Sequence, residues 1–136
     1  MESKKNIALL LYVILSGVFI SCLITCNLIF LKFFHLEINF FKIEFTFIQS
    51  VGLLAYPITF LITDVISEVY GQKKANFVVI SGVISSIIIL GIIYLAQIVP
   101  ADSESPVDDE TFKLVFGEFG IAMAASLFTY LICQLI

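Results

Sequence analysis

The stretch PITFLITDVISEVYG, residues 57–71, ends an apolar run in polar side chains: Thr59, Thr63, Asp64 and Glu68, with Tyr56 just before it. An ionised side chain costs about 2.5–3.5 kcal/mol at the centre of a bilayer and less near its boundary. Asp64 therefore has two readings. With Glu68, four residues on and on the same helix face, it marks the water boundary. Alternatively it faces a bundle interior, where the hydroxyls of Tyr56, Thr59 and Thr63 and carbonyls freed near Pro57 complete a polar pocket that binds a solute or fixes helix register. Asn27 and Gln134 lie in other apolar runs. A side-chain amide offers two donors and an acceptor. That suits the edge of a nucleobase, and equally a helix-to-helix hydrogen bond of roughly 0.6–2 kcal/mol.

Other polar groups carry less chemistry. Gln49 and Gln97 lie near run ends and read as interfacial. His35 has no partner pattern. Cys22, Cys26 and Cys133 sit inside apolar runs without metal-ligand spacing and read as small apolar side chains. No nucleotide loop, zinc spacing or nucleophile–base set is visible, so neither an enzyme nor a resident cofactor or metal is expected. Many of the aromatic residues cluster around residues 30–47 and read as an interfacial belt; the alternative is that a subset such as Tyr56 or Phe60 stacks on a planar solute.

The elements that must hold these groups are membrane helices. Of 136 residues, 60% are hydrophobic and 13% charged, with a mean hydropathy of +1.11. A soluble domain is about a quarter charged. About 20 apolar residues cross the hydrocarbon core, and four runs approach or exceed that length, near residues 7–31, 45–67, 75–99 and 115–136. The first run is too long for a signal peptide and lacks a cleavage site. Residues 32–44 mix charges with phenylalanines and read as an interfacial connector. Pro57 removes a helical hydrogen bond, which predicts a bend or interruption between residues 55 and 60. Residues 67–76 form a polar link with Gly71 as helix stop, and residues 100–113 an acidic solvated loop. Ser81 with Ser85 and Gly82 with Ser86 place small residues on one helix face for close packing, as do Ala122, Ala124, Ala125 and Ser126 on the last helix. With the N-terminus in the cytoplasm, Lys4, Lys5, Lys73 and Lys74 are inside and Lys32, Lys42 and Lys113 outside, which agrees with the positive-inside rule.

The opening stretch, followed by Gln72-Lys73-Lys74-Ala75, closely resembles the signature of the bacterial queuosine precursor transporters, also called the vitamin uptake transporter family. These carry a similar Pro-x-x-Phe-x-x-Thr-Asp segment, then an aromatic-Gly pair and a basic link. Asn27 resembles the family's first-helix asparagine. Tyr130 and Gln134 resemble the start of a motif in which the glutamine is soon followed by Asp-Val, and the sequence ends at Ile136 before that pair.

The resemblance implies an all-α, polytopic transmembrane bundle, one domain over residues 1–136, with four of the family's roughly six helices and a truncated C-terminus. It implies import of a 7-deazaguanine, such as the 7-cyano or 7-aminomethyl precursor of queuosine, across the bacterial cytoplasmic (inner) membrane. Asn27, Tyr56, Thr59, Thr63, Asp64 and Gln134 would bind it. The expected partners are that small molecule and membrane lipid, not nucleic acid, with a homo-oligomer or a separate C-terminal half also open. The competing expectation is an inactive or split membrane fragment that needs a partner chain.

Overall fold

The computed structural model describes residues 2–40 and 43–135. The order is α1 (Glu2–Leu28), β1 (Phe33–Phe40), β2 (Ile43–Ser50), a 3-10 turn (Val51–Ala55), α2 (Tyr56–Tyr70), α3 (Gln72–Ile98), α4 (Asp109–Phe116) and α5 (Phe119–Leu135). The bundle is helical, as expected. Among the described residues, three segments are long and apolar enough to cross a membrane: Ser3–Leu28, Val51–Tyr70 and Gln72–Ile98. Their outward faces are apolar: Leu61 and Leu95 are each 64% exposed, as suits a chain whose solvent is lipid.

The inward faces meet in a small core. Phe19 and Leu23 of α1, Ile62 and Ile66 of α2, and Ala75, Val78 and Val79 of α3 are buried together. On α2 the buried positions Thr59, Ile62, Thr63 and Ile66 recur at three- and four-residue spacing, one stripe of a helix. On α3 the stripe runs through Ala75, Val78, Val79, Gly82 and Ser86. The Gly82–Ser86 pair lies buried, as its spacing suggested. A Cβ on Gly82 would stand 2.9 Å from the Phe19 ring and 3.1 Å from a Leu23 methyl, so the absent side chain lets α1 and α3 approach.

One end of the bundle is tied by aromatic residues. The Tyr12 hydroxyl donates to the Lys74 carbonyl (3.1 Å) and the Tyr70 hydroxyl to the Ala8 carbonyl (2.8 Å). The two rings are 5.4 Å apart, and the Lys74 ammonium lies 5.6 Å and 5.4 Å from their centres, within cation–π range. The start of α1, the end of α2 and the start of α3 therefore share one end. It follows that α1 and α3 run parallel, with α2 antiparallel between them in sequence.

Three expectations about the elements need correction. The connector and the start of the second run form a β-hairpin, with Phe33 paired to Ser50 through Phe40 to Ile43. Residue types alternate apolar and polar from Phe34 to Phe40 and from Ile43 to Phe47, a period of two that favours strands over helix. The second span therefore begins at Val51, not near residue 45. Ser50 closes the junction: its hydroxyl donates to the Phe30 carbonyl at 2.5 Å and accepts from the Gly52 N–H.

The second correction concerns Pro57. It stands in the first turn of α2, where its missing N–H has no helical partner to lose. The interruption expected between residues 55 and 60 is present as a change from 3-10 to α geometry at Ala55–Tyr56, with the Tyr56 N–H bonded back to Leu53. The proline starts a helix rather than bending one. Similarly, the ten-residue link before α3 contracts to Gly71 alone, whose φ of 88° is a left-handed conformation that glycine adopts without a Cβ clash.

The third correction concerns the loop expected over 100–113 and the run expected over 115–136: α4 takes in the end of the loop and the start of the run, and α5 begins after Gly117 and Glu118. Asp108 caps α4 by accepting the Thr111 N–H at 2.9 Å. Hydrogen bonding from Thr111 holds its carboxyl below the ordinary range. Asp109 and Glu110 in the first turn and Lys113 in the last complement the helix dipole. The 17 residues of α5 reach about 25 Å at about 1.5 Å per residue, short of a hydrocarbon core of about 30 Å.

Candidate functional site

Away from the tyrosine-tied end, the core changes character from aliphatic to polar. Asn27 of α1 is buried to 3% exposure, although α1 is otherwise strongly apolar there. Its Nδ2 donates to the Leu23 carbonyl at 2.9 Å, which turns Oδ1 toward α5. The Ser126 hydroxyl meets that oxygen at 2.7 Å and also lies 3.0 Å from its own Met123 carbonyl. Tyr56, half-buried at the head of α2, lies near Ser126. The Ser126 hydroxyl on α5 thus bonds to α1 beside the head of α2.

Below Tyr56 on the buried stripe of α2 come Thr59 and Thr63, exposed to 0% and 5%. The Thr59 hydroxyl donates to the Tyr56 carbonyl at 2.7 Å, and Thr63 to the Phe60 and Thr59 carbonyls at 2.9 and 3.2 Å. Their protons are satisfied within the helix, so each oxygen retains lone pairs that face the packed interior. Asn27 likewise retains a second N–H. The layer therefore holds a mixed set of acceptors and donors in a region shielded from water, where an incoming polar edge would be strongly felt.

The close packing around Gly52 helps to set this geometry. A Cβ there would collide with the Cys26 carbonyl, and would lie 3.2 Å from the Phe30 Cα. Gly52 lets the 3-10 turn lie against the end of α1 at Cys26 and Phe30, just before Tyr56.

Of the residues singled out from sequence, the fold brings Asn27, Tyr56, Thr59 and Thr63 into this layer. Asp64 and Glu68 are exposed on α2, off its buried stripe. Counted from Tyr70 at about 1.5 Å per residue, Asp64 stands about 9 Å into the span. Phe60 is exposed as well. Gln134 belongs to α5, but its side chain, like that of Tyr130, lies outside the described residues. Ser126 was noted in the sequence only as a small residue that permits close approach; its role as the junction depends on a partner 99 positions away, which no local pattern announces.

Hollows lie elsewhere. One of about 430 Å³ runs between α3 and the α4–α5 junction, lined by Leu90, Tyr94, Gln97, Phe116 and Gly120 among others. It is mainly apolar and open to the outside, as a lipid-facing groove would be. Among the described residues, Asn27, Thr59 and Thr63 are buried, so a solute reaches them when the helices part.

The family model described as "Putative vitamin uptake transporter" matches residues 50–136. The match takes in the 3-10 turn and α2 to α5, hence Tyr56, Thr59, Thr63, Asp64, Ser126 and Gln134, while Asn27 precedes it. Neither the curated proteins nor the solved structures gave a match.

Proposed function

Since the chain belongs to the vitamin uptake transporter family, we propose that it imports a 7-deazaguanine, such as the 7-cyano or 7-aminomethyl precursor of queuosine, across the bacterial cytoplasmic membrane. The observation that carries this reading is the hydrogen bond from Ser126 to the buried Asn27 amide between helices of a membrane protein. A flat heterocycle of this kind presents ring acceptors, a carbonyl and an amino group along one edge. Asn27 supplies a donor, Thr59 and Thr63 supply acceptors, and the Tyr56 ring offers a face for stacking. Desolvating the neutral 7-cyano form costs far less than desolvating an ion, so a pocket of hydroxyls and amides suits it.

In this reading Asn27, Tyr56, Thr59, Thr63, Asp64 and Gln134 form the binding set. Asp64 joins it by facing the route along α2 by which the solute arrives or leaves. Substrate entry parts the helices around the layer, and departure lets Ser126 return to Asn27. No covalent chemistry is required, and the chain acts as a carrier, not an enzyme.

A second reading is favoured by Asp64. An exposed carboxylate about 9 Å inside a span is costly against lipid, and further helices from a partner chain or a second copy would shelter it. The protein then transports only as part of a larger assembly.

One experiment separates the two. Cells unable to make the precursor are given labelled 7-cyano-7-deazaguanine, with and without this gene. Uptake that depends on the gene is expected, with Asp64→Asn reducing it at least fivefold and Glu68→Gln having little effect. Equal, mild effects of both changes would return Asp64 to the role of a boundary marker. Uptake only on co-expression of additional family helices would favour the second reading, and no uptake in either case would sink the substrate assignment.

A further inference from the structure

We infer that Ser86 of α3 is a solute-contacting residue, the third-helix wall of the polar layer; this rests on the transport reading above. Its hydroxyl is wholly buried and has no hydrogen-bond partner among the described residues. That sets it apart from the other buried hydroxyls, those of Thr59 and Thr63. Helical serines and threonines ordinarily bond back to a carbonyl three or four residues earlier. Ser16, Thr59, Thr63, Ser81 and Thr129 all do so here. Ser86 does not, and a buried hydroxyl without a partner is a net cost.

Its placement explains what the hydroxyl is for. The stripe of α3 passes through Gly82, Ser86 and Leu90, one turn apart. Gly82 touches Phe19 and Leu23 of α1, whereas Leu90 packs 3.2 Å from the position of a Cβ on Gly120 of α5. Ser86 lies between these two contacts and so faces the seam of α1 and α5. That is the seam crossed by the Ser126–Asn27 hydrogen bond. Heights agree with this. From the tyrosine-tied end, Thr59 is about 16 Å along α2 from Tyr70, and Ser86 about 18 Å along α3 from Lys74. Leu23 is about 16 Å along α1 from Tyr12, and Asn27 about 22 Å, so Ser86 stands between their levels.

The layer thus has an unpaired donor and acceptor on its α3 side, opposite groups that are already engaged. A polar heterocycle with an acceptor beside a donor along one edge would satisfy both functions of Ser86 at once. In the empty protein the hydroxyl waits unpaired; in the loaded one it is bonded. Its contribution therefore falls on the bound state, where it favours affinity, and not on the stability of the empty fold.

The test uses the whole chain, purified in detergent and expressed in precursor-requiring cells, with 7-cyano-7-deazaguanine as the probe. Ser86→Ala is expected to leave the melting temperature of the empty protein unchanged or raised. The same variant should raise KM for uptake about five- to tenfold, the effect of one lost hydrogen bond, and shrink the melting shift produced by the probe. Ser86→Cys, close in size and a weaker donor, should fall between the two. A fall of several degrees in the empty protein would show that Ser86 makes a structural bond and overturn the inference. So would a wild-type KM in Ser86→Ala. A wild-type protein that neither takes up the probe nor is stabilised by it would sink the transport reading, and this inference with it; a responsive wild type beside an equally responsive Ser86→Ala sinks the inference alone.

Discussion

Ser126 and Asn27 show how much a single polar contact can matter where water is absent. The Asn27 amide is oriented by its own helix, through Leu23, and only then presents its oxygen to Ser126. Ser126 retains the Met123 carbonyl as a second acceptor, so it can release Asn27 without leaving its proton unpaired. That makes the interhelical bond exchangeable, which a rigid structural tie is not. Interhelical hydrogen bonds in membrane proteins contribute about 0.6 kcal/mol on average and up to about 1.7 kcal/mol. A double-mutant cycle with Asn27→Ala and Ser126→Ala, read by unfolding in detergent, should give a coupling within that range. A coupling indistinguishable from zero would mean that the two side chains do not hold α1 to α5.

At the scale of elements, glycines decide which helices touch. Gly52 lies against the backbone of α1, where neither the Cys26 carbonyl nor the Phe30 Cα can yield without moving the chain. Gly82 lies against the Phe19 ring and a Leu23 methyl, and a side chain can adjust by a few tenths of an ångström. Gly91 has nothing within 4 Å. Alanine should therefore destabilise most at Gly52, by about 1–3 kcal/mol as overpacking does, less at Gly82, and not at Gly91, where helix propensity favours it. Thermal unfolding of the three variants in one detergent checks the order; Gly91→Ala as the most damaging would contradict it. Part of this was legible beforehand. The Gly82–Ser86 spacing announced a contact face, and the apolar runs announced α1 and α3 nearly to their ends. The hairpin was missed because its aromatic residues were read for their affinity to an interface, when their alternation with Glu37, Asn39, Glu44 and Thr46 was the stronger signal. Pro57 was misread because a proline in the first turn and one in the interior look alike until the preceding strand ends the search for helix. Ser86 carried no sequence signal for its role, since a serine in an apolar run ordinarily satisfies itself on its own helix.

For the molecule as a whole, the arrangement of helices fixes which charges lie together, and this bears on its orientation in the membrane. The contacts of Tyr12 with Lys74 and of Tyr70 with Ala8 put the N-terminus of α1 and the α2–α3 turn at one end. Lys4 and Lys5 therefore share that end with Lys73 and Lys74, a grouping that sequence counting assumed and the packing supports. The loop between α3 and α4, with Asp102, Glu104 and Asp108, and the first turn of α4, with Asp109 and Glu110, follow the opposite end of α3. Lysines close to span ends are retained on the cytoplasmic side, while acids have little influence, so the tyrosine-tied end should face the cytoplasm and the acidic loop the outside. Lys74 adds to this, because its ammonium lies over both tyrosine rings at the level where amphipathic aromatics and headgroups meet. Ser103 and Gln72 are both exposed and stand at opposite ends. With a membrane-impermeant thiol reagent, and Cys22, Cys26 and Cys133 replaced by alanine, Ser103→Cys should react in intact cells. Gln72→Cys should react only after the membrane is opened. The reverse pattern would invert the molecule, and with it the direction from which a solute first meets the Asn27 layer.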